Sequence, residues 1–265
     1  MNEYASAEKI RLPVHLKIDT GMGRAGCSVE ESLGLARQID ACPSLELAGT
    51  ATHFAVSDSA DERDIAYTKT QLARFNEAVG AIRDAGIDPG IVHAANSGAV
   101  ILHPDAWFDM VRPGILLYGY KTVQENEISP LEPLRAEPVM ELKSTVVLIK
   151  KVKKGESVSY GRTWIAGQDT NIAMLPVGYA DGLPRLASGK WQVLIGGNVY
   201  PIVGLICMDQ CCIDLGPDTD VRRWDEAVIF GGQTGNAAAL AAAVGTIPYE
   251  ITCNINKRVP RIYED

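Results

Sequence analysis

The 265-residue sequence predicts an α/β fold that forms part of a (β/α)8 (TIM-type) barrel, followed by a mostly antiparallel β domain. Strand-like and helix-like segments alternate in the first half, which is typical of parallel βαβ units. Successive strands of that half end in polar side chains, as strands do at the active-site face of a barrel. The second half consists of short apolar runs between glycine-rich turns. We therefore predict two domains, residues 1–131 and 132–265, with a linker at residues 131–136.

Four strands are predicted in the first domain, each from a short apolar run. They span residues 14–19, 47–54, 90–94 and 108–111. Helical periodicity between them predicts helices over residues 29–39 and 61–85. Because a closed barrel needs eight strands, four strands amount to half a barrel. We expect either that another chain completes it or that the sequence is part of a longer protein.

In the second domain, β-rich runs separated by turn residues predict the strands of a sheet or small barrel. They span residues 139–152, 171–177, 191–195, 200–207, 211–215 and 227–230. One helix is predicted near the end, over residues 237–244.

Composition excludes several classes of function. The 25 basic and 33 acidic residues give a net charge of −8, and no basic stripe is present, so we expect no nucleic-acid partner. No apolar run approaches 18 residues, and residues 1–11 are polar, so we expect no membrane segment and a cytoplasmic location. The six cysteines form no Cys-x-x-Cys pair and are predicted to be reduced thiols, and no metal site is predicted.

Eight short motifs occur along the chain in a consistent order. They are HLKIDTGMGR at 15–24, THFA at 52–55, HAANS at 93–97, VRPGI at 111–115, SYGRTW at 159–164, PVGYADG at 176–182, CMDQ at 207–210 and RVPR at 258–261. As a set, these motifs resemble the signatures of the alanine racemases, and the resemblance covers nearly the whole chain.

The resemblance implies a barrel that holds pyridoxal 5′-phosphate, a C-terminal β domain and a head-to-tail homodimer with shared active sites. It implies the interconversion of L-alanine and D-alanine, which supplies D-alanine for peptidoglycan. The family's Schiff-base lysine lies in a Lys-Ala-x-Ala-Tyr-Gly-x-Gly context, and the sequence contains no such segment. We therefore expect roughly 100 N-terminal residues to be missing, and we expect the isolated chain to show no racemase activity.

Racemisation removes a proton from one face of the α-carbon and returns one to the other, so it needs two acid/base groups. By resemblance, the lysine serves one face and Tyr160, from the partner subunit, serves the other. A free tyrosine has a pKa near 10, so nearby positive charge must lower it. Arg112 matches the residue that faces the pyridine nitrogen, where it cannot accept a proton, and His53 matches the residue that hydrogen-bonds this arginine.

The cofactor phosphate needs hydrogen-bond donors. By resemblance, these are Ser97, the amides of Gly114 and Ile115, and Asn96. Lys257 stands where many relatives carry a phosphate-binding tyrosine, although an insertion or deletion would place Asn254 or Asn256 there instead.

The resemblance also implies residues that contact the substrate. Arg24 matches a contact to the substrate carboxylate and the cofactor's phenolic oxygen. Tyr179 and Met208 match residues near the substrate entrance, and the resemblance implies that both come from the partner subunit, as Tyr160 does. The backbone amide of Met208 is expected to bind the carboxylate, with Asp209 beside it. Lys17 matches a lysine that is carbamylated in several relatives.

Several alternatives remain open. A smaller or more polar residue at the position of Lys257 would favour a serine or broad-specificity amino-acid racemase, because apolar pockets reject an added hydroxyl weakly. A decarboxylase of the same barrel class is a second alternative, which Tyr160 and the CMDQ motif disfavour. A catalytically inactive remnant or binding module is a third, and the absent lysine supports it.

Overall fold

The computed structural model describes residues 1–122, 136–232 and 235–264. The chain divides into two compact units, Met1–Glu137 and Pro138–Asp265. The predicted boundary at residue 131, and all of the predicted linker except Ala136, lie outside the described residues.

The first unit is built on three parallel strands in the order β1-β2-β3. The strands are β1 (Leu12–Lys17), β2 (Leu45–Ala51) and β3 (Ile91–His93). Four α-helices accompany them in the described part of this unit: α1 (Asn2–Ala7), α2 (Val29–Asp40), α3 (Glu62–Asp84) and α4 (Ser97–Leu102).

The predicted fourth strand, residues 108–111, is wrong. Only an isolated parallel bridge remains there, between Met110 and His93. The side chain of Asp109 explains the difference, because its carboxylate accepts from the amide of Val92 at 2.8 Å and replaces a strand carbonyl. Phe108, just before it, has a φ of +49°, which a continuous strand does not tolerate.

Helices α2 and α3 begin where their capping residues dictate. Ser28 forms a reciprocal capping box with Glu31, and the side chain of Asp61 accepts from the amide of Arg63. The buried face of α3 packs with the sheet in a core that includes Ile18, Phe54, Phe75, Ile82 and Val92.

Gly90, in the turn before β3, gives a test of this packing. Its φ is +64°, and a Cβ atom there would lie 2.3 Å from the carbonyl carbon of Ala48. Gly86 has a φ of +77° but nothing within 4 Å of such an atom, so it is a matched control. We expect Gly90→Ala to lower the free energy of unfolding by more than about 2 kcal/mol and Gly86→Ala by about 1 kcal/mol. Equal losses in urea unfolding of the full chain would contradict this packing.

The second unit contains a seven-stranded antiparallel sheet in the order β4-β12-β9-β10-β11-β8-β5, and a separate hairpin, β6-β7. The strands are β4 (Leu142–Thr145), β5 (Leu148–Val152), β6 (Ser157–Val158), β7 (Trp164–Ile165), β8 (Thr170–Leu175), β9 (Gln192–Ile195), β10 (Asn198–Val203), β11 (Cys211–Gly216) and β12 (Glu226–Phe230). Two α-helices follow among the residues that the structure describes: α5 (Ala237–Val244) and α6 (Pro248–Cys253).

The pattern of burial explains the strands of this unit. In β11, Cys211, Ile213 and Leu215 are buried and alternate with less buried residues, which is the period of two that a sheet requires. The predicted run over residues 139–152 is two strands, β4 and β5.

The six cysteines are free thiols, and burial raises the pKa of Cys211. Among the described residues, no helix is both long and apolar enough to cross a membrane.

Candidate active site

Arg112 is the centre of a hydrogen-bond network at the ends of the parallel strands. Its Nη1 lies 2.5 Å from Nδ1 of His93, and its Nη2 lies 3.2 Å from Nδ1 of His53. Nη2 also donates to the carbonyl oxygens of Thr52 at 2.7 Å and Ala94 at 3.0 Å. The guanidinium is therefore fixed in position, while its Nε–H has no acceptor among the described residues and remains able to bind a ligand.

The protonation states of this network follow from its donors. A guanidinium can only donate, so Nδ1 of each histidine accepts, and each neutral ring carries its proton on Nε2. Burial first, and then the charge of Arg112, lower the pKa of both His53 and His93 to about 4. Burial also lowers the pKa of Arg112, but an arginine stays a cation in proteins. The site therefore holds a fixed positive charge next to two neutral imidazoles.

These pKa shifts predict how stability depends on pH. Unfolded histidines, with a pKa near 6.5, bind protons that the folded ones bind only near pH 4. The unfolded state thus binds more protons in this range, and stability falls as the pH drops from about 6.5 to about 4. We expect His53→Gln and His93→Gln each to reduce this loss. Hydrogen exchange of peptides from residues 1–122, followed from pH 6.5 to pH 4, measures the stability of the first unit. The same pH dependence in the unaltered chain and in both variants would contradict the prediction.

Ser97 and the segment after Arg112 form a group of hydrogen-bond donors. The buried hydroxyl oxygen of Ser97 accepts from the amides of Gly114 at 2.9 Å and Leu116 at 3.4 Å, and its own proton has no acceptor within the described ranges. The amide of the buried residue Ile115 has no acceptor among the described residues. The amide of Gly114, by contrast, is already engaged by Ser97.

Asn96 has a structural part in this arrangement. Its Oδ1 accepts from the amide of Ala99 at 3.0 Å, which caps α4, and from the hydroxyl of Ser57 at 2.7 Å. The cap of α4 is therefore Asn96, and Ser97 is the first residue of the helix.

The loop after β1 presents Lys17 and Arg24. The carboxylate of Asp19 accepts from four successive amides, those of residues 21–24, at 2.8 to 3.1 Å. These bonds hold the pKa of Asp19 below its usual value. The Lys17 ammonium donates to the carbonyl of Ala25 at 3.1 Å, and burial lowers the pKa of Lys17, opposed by Asp19 and reinforced by Arg24 and Arg112. The side chain of Arg24 is exposed.

In the second unit, Tyr160 lies in a short turn between β6 and β7. Its side chain is 72% exposed, and its hydroxyl makes no hydrogen bond to another described residue. Ser159 before it has a φ of +66° and a ψ of −176°, a region that glycine normally occupies. The hydroxyl of Ser159 donates to the carbonyl of Leu205 at 2.6 Å, which ties the turn to the segment before Met208.

Tyr179 and Met208 lie on two loops that are bonded to each other. The amide of Tyr179 donates to the carbonyl of Cys207 at 3.1 Å, and that of Ala180 donates to the carbonyl of Met208 at 3.0 Å. Gly178 permits this approach, since a Cβ atom there would lie 2.2 Å from the Cys207 oxygen. Met208 is 54% exposed, and its amide has no acceptor among the described residues.

Arg258 joins these loops to the segment that carries Lys257. Its Nε lies 2.7 Å from a carboxylate oxygen of Asp181, and its Nη2 lies 2.6 Å from one of Asp209. These hydrogen bonds raise the pKa of Arg258. The carboxylate of Asp209 is thus engaged within the unit, while Lys257 is exposed and its side chain makes no bond to a described residue.

Each unit therefore gathers its own group of predicted site residues. The first holds Lys17, Arg24, His53, Asn96, Ser97, Arg112, Gly114 and Ile115 at or after strand ends, and the second holds Tyr160, Tyr179, Met208, Asp209 and Lys257 on connected loops. Sequence reasoning missed the contacts of His93, Asp181 and Arg258. All three residues lie within the motifs quoted above, and this membership was the signal in the sequence that could have identified them.

The donors of the first unit fit pyridoxal phosphate. The hydroxyl of Ser97 and the amide of Ile115 suit a phosphate, which is an anion with several acceptors. The free Nε–H of Arg112 suits a ring nitrogen that accepts a hydrogen bond. The parallel strands and these polar strand ends are those of a β/α-barrel enzyme.

Comparisons with known proteins identify the family. Family models described as "Alanine racemase, N-terminal domain" and "Alanine racemase, C-terminal domain" match residues 1–122 and 139–263. The alanine racemase of Treponema denticola is 53% identical over 100% of this chain and 70% of its own length. That of Treponema pallidum is 48% identical over 94% of this chain and 67% of its own length.

Solved structures agree. The alanine racemase from Streptomyces coelicolor A3(2) has a TM-score of 0.88 and 38% identity, over 99% of this chain and 69% of that one. The alanine racemase from Bacillus anthracis with bound L-Ala-P has a TM-score of 0.87 and 34% identity, over 100% of this chain and 69% of that one. The chain belongs to the alanine racemase family of isomerases, and it spans about two thirds of the length of these relatives. The predicted family and fold class are confirmed.

Proposed function

We propose that the chain supplies the cofactor pocket and one of the two acid/base groups of an alanine racemase that interconverts L-alanine and D-alanine. The observation that carries the proposal is the Arg112 network. A guanidinium held by two neutral histidines, with one N–H left free, lies in the same unit as the donors of Ser97 and Ile115.

Bound pyridoxal phosphate supplies an electron sink for the substrate's α-carbon. Ser97 and Ile115 hold the phosphate, with Asn96, Gly114 and Lys257 as further candidates. Arg112 would donate from Nε to the ring nitrogen and keep its own proton, which would leave that nitrogen unprotonated and the electron sink moderate. His53 helps to hold Arg112 in this orientation.

Tyr160 holds or takes the α-proton at its phenolic oxygen on one face of the substrate. Its exposed hydroxyl is free to enter a site made by another chain, which supports a homodimer with shared active sites. The amide of Met208 of the partner subunit binds the substrate carboxylate together with Arg24, while Tyr179 and Asp209 of the partner subunit border the entrance. We place the reaction in the cytoplasm, where it supplies D-alanine for peptidoglycan.

Lys17 is proposed to be carbamylated. A neutral amine adds to CO2 and releases one proton, which leaves an anionic carbamate. Burial and the nearby charges of Arg24 and Arg112 lower the pKa of Lys17 and so favour the neutral amine, and the anion formed would pair with Arg24. We expect a 13C signal of a carbamate when the protein is equilibrated with 13C-bicarbonate, and its loss in Lys17→Arg. A signal that persists in Lys17→Arg would place the carbamate elsewhere.

Racemisation itself tests the proposal. A fusion in which the remaining part of the Treponema denticola relative precedes Met1, here called the complemented chain, supplies the family's lysine. We expect it to convert L-alanine to D-alanine, and the 265-residue chain alone to give no turnover. L-serine is measured in parallel to test the broader specificity. A folded complemented chain that binds pyridoxal phosphate but turns over neither amino acid would overturn the proposal.

A further inference from the structure

We propose that His15 is a positioning residue for Arg112, because it fixes His93 in the tautomer whose Nδ1 accepts from the guanidinium. Nδ1 of His15 lies 2.8 Å from Nε2 of His93, and the ring centroids are 5.0 Å apart. His93 in turn lies 2.5 Å from Arg112 through its other nitrogen. The three side chains form a continuous hydrogen-bonded chain from β1 to the proposed cofactor contact.

The sheet is built to let His15 reach His93. The two residues lie on β1 and β3, with β2 between them. Directly opposite His15 on β2 is Gly49, where a Cβ atom would lie 2.5 Å from Cε1 of His15. The register of β1 against β2 also shifts just before His15, which is an irregularity that re-aims a side chain. A missing side chain and a register shift thus bring the ring across the middle strand.

Among the side chains of Arg112, His93 and His15, the donor and the acceptor of each hydrogen bond follow from the chemistry of Arg112. Arg112 can only donate, so Nδ1 of His93 is unprotonated, and a neutral His93 must carry its proton on Nε2. That proton is donated to Nδ1 of His15, which must therefore be an acceptor. His15, when neutral, then carries its own proton on Nε2. The sequence of donors runs from Arg112 to His93, and from His93 to His15.

Loss of the acceptor on His15 has a specific consequence. Without it, only the bond from Arg112 still favours the proton of His93 on Nε2, and the tautomer with the proton on Nδ1 becomes more accessible. That tautomer places an N–H against the Nη1–H of Arg112, so the two donors repel and the guanidinium loses one of the bonds that orient it. The effect on His93 is independent of the proposed function, whereas any effect on racemisation rests on it.

The tautomer of His93 can be read directly. The sequence has four histidines, at positions 15, 53, 93 and 103, so the 265-residue chain labelled with 15N-histidine gives few signals in 15N–1H long-range correlation spectra. At neutral pH we expect His93 to be protonated on Nε2 and unprotonated on Nδ1. A proton on Nδ1 of His93 in the unaltered chain would overturn the proposal without any variant.

Variants separate positioning from general structural damage. His15→Leu, which has no acceptor, is expected to shift the His93 15N signals toward a mixture of tautomers. Gly49→Ala, which displaces the His15 ring, is expected to have the same effect. His15→Asn retains an acceptor oxygen and should restore the Nε2 tautomer, while His103→Gln is the control that leaves His93 unchanged. His93 signals in His15→Leu that match those of the unaltered chain would contradict the proposal.

The same variants in the complemented chain distinguish this inference from the proposed function. We expect His15→Leu to lower the racemisation rate and His15→Asn to recover most of it. If the complemented chain does not racemise but His93 responds to His15, the positioning role stands and the proposed function fails. If the complemented chain racemises alanine but His93 does not respond to His15, the proposed function stands and the positioning role fails.

Discussion

Replacing Tyr160 with phenylalanine is expected to lower the racemisation rate of the complemented chain by on the order of 10²- to 10⁴-fold, the usual contribution of a general acid/base. The substitution removes only the hydroxyl, which makes no hydrogen bond to another described residue. Stability should therefore be unchanged while catalysis is lost in both directions. Rates of D-alanine formation from L-alanine, and of the reverse reaction, measure the effect.

Exchange of the α-proton with D2O sharpens this test. With Tyr160→Phe, the base on the other face still works, so we expect one enantiomer of alanine to exchange its α-proton without being converted to the other. Tyr200→Phe, on β10, is the matched control and should racemise normally. Loss of exchange from both enantiomers in a folded Tyr160→Phe protein would contradict the assignment of Tyr160 to one face.

Replacing Arg112 with leucine is expected to be the most damaging change in the first unit. It removes the donor to His93, His53 and the carbonyls of Thr52 and Ala94, and leaves these acceptors partly buried and unpaired. We expect the free energy of unfolding to fall by about 2–4 kcal/mol. Urea unfolding, monitored by hydrogen exchange of peptides from residues 1–122, measures the decrease in the free energy of unfolding.

Two further variants define what Arg112 contributes. Arg74 makes a single bond to another described residue, to the carbonyl of Thr20 at 3.1 Å, so Arg74→Leu should cost less than about 1.5 kcal/mol. Arg112→Lys keeps the charge but offers fewer donors and no planar fork, and we expect an intermediate stability. If Arg112→Leu and Arg74→Leu were equally stable, the network would not be the organising feature of the site.

The parts of the fold that the sequence predicts are those with strong local signals. Helix α3 and helix α5 are found because each combines periodicity or alanine content with a clear cap, at Asp61 and Asn236. Helices α1, α4 and α6 have six residues each, which is too short for a period of 3.6 residues to be recognised. The false strand at residues 108–111 reflects a contact that is not local, because the Asp109 side chain reaches Val92.

In the candidate site too, the sequence indicates some residues and does not reveal the contacts between distant ones. The polar residues at strand ends include Ser97 and Arg112, and the resemblance of the motifs to the family adds Ile115. The contact of His15 with His93 across β2 depends on the register of three strands and on Gly49. The register cannot be read from a short motif, and Gly49 lies outside all of the motifs. The engagement of Asp209 by Arg258 likewise joins residues 49 positions apart in the chain, so the sequence could not reveal it.

We propose that the first unit holds pyridoxal phosphate between Arg112 and the donors of Ser97 and Ile115. The most direct measurement is a 1H–15N NMR titration of the 265-residue chain with pyridoxine 5′-phosphate, which lacks the aldehyde that reacts with surface lysines. We expect saturable shifts at the Ile115 amide and at Arg112 Nε, with affinity reduced about tenfold in Ser97→Ala. Absence of saturable shifts at these two groups, or shifts confined to the second unit, would contradict it.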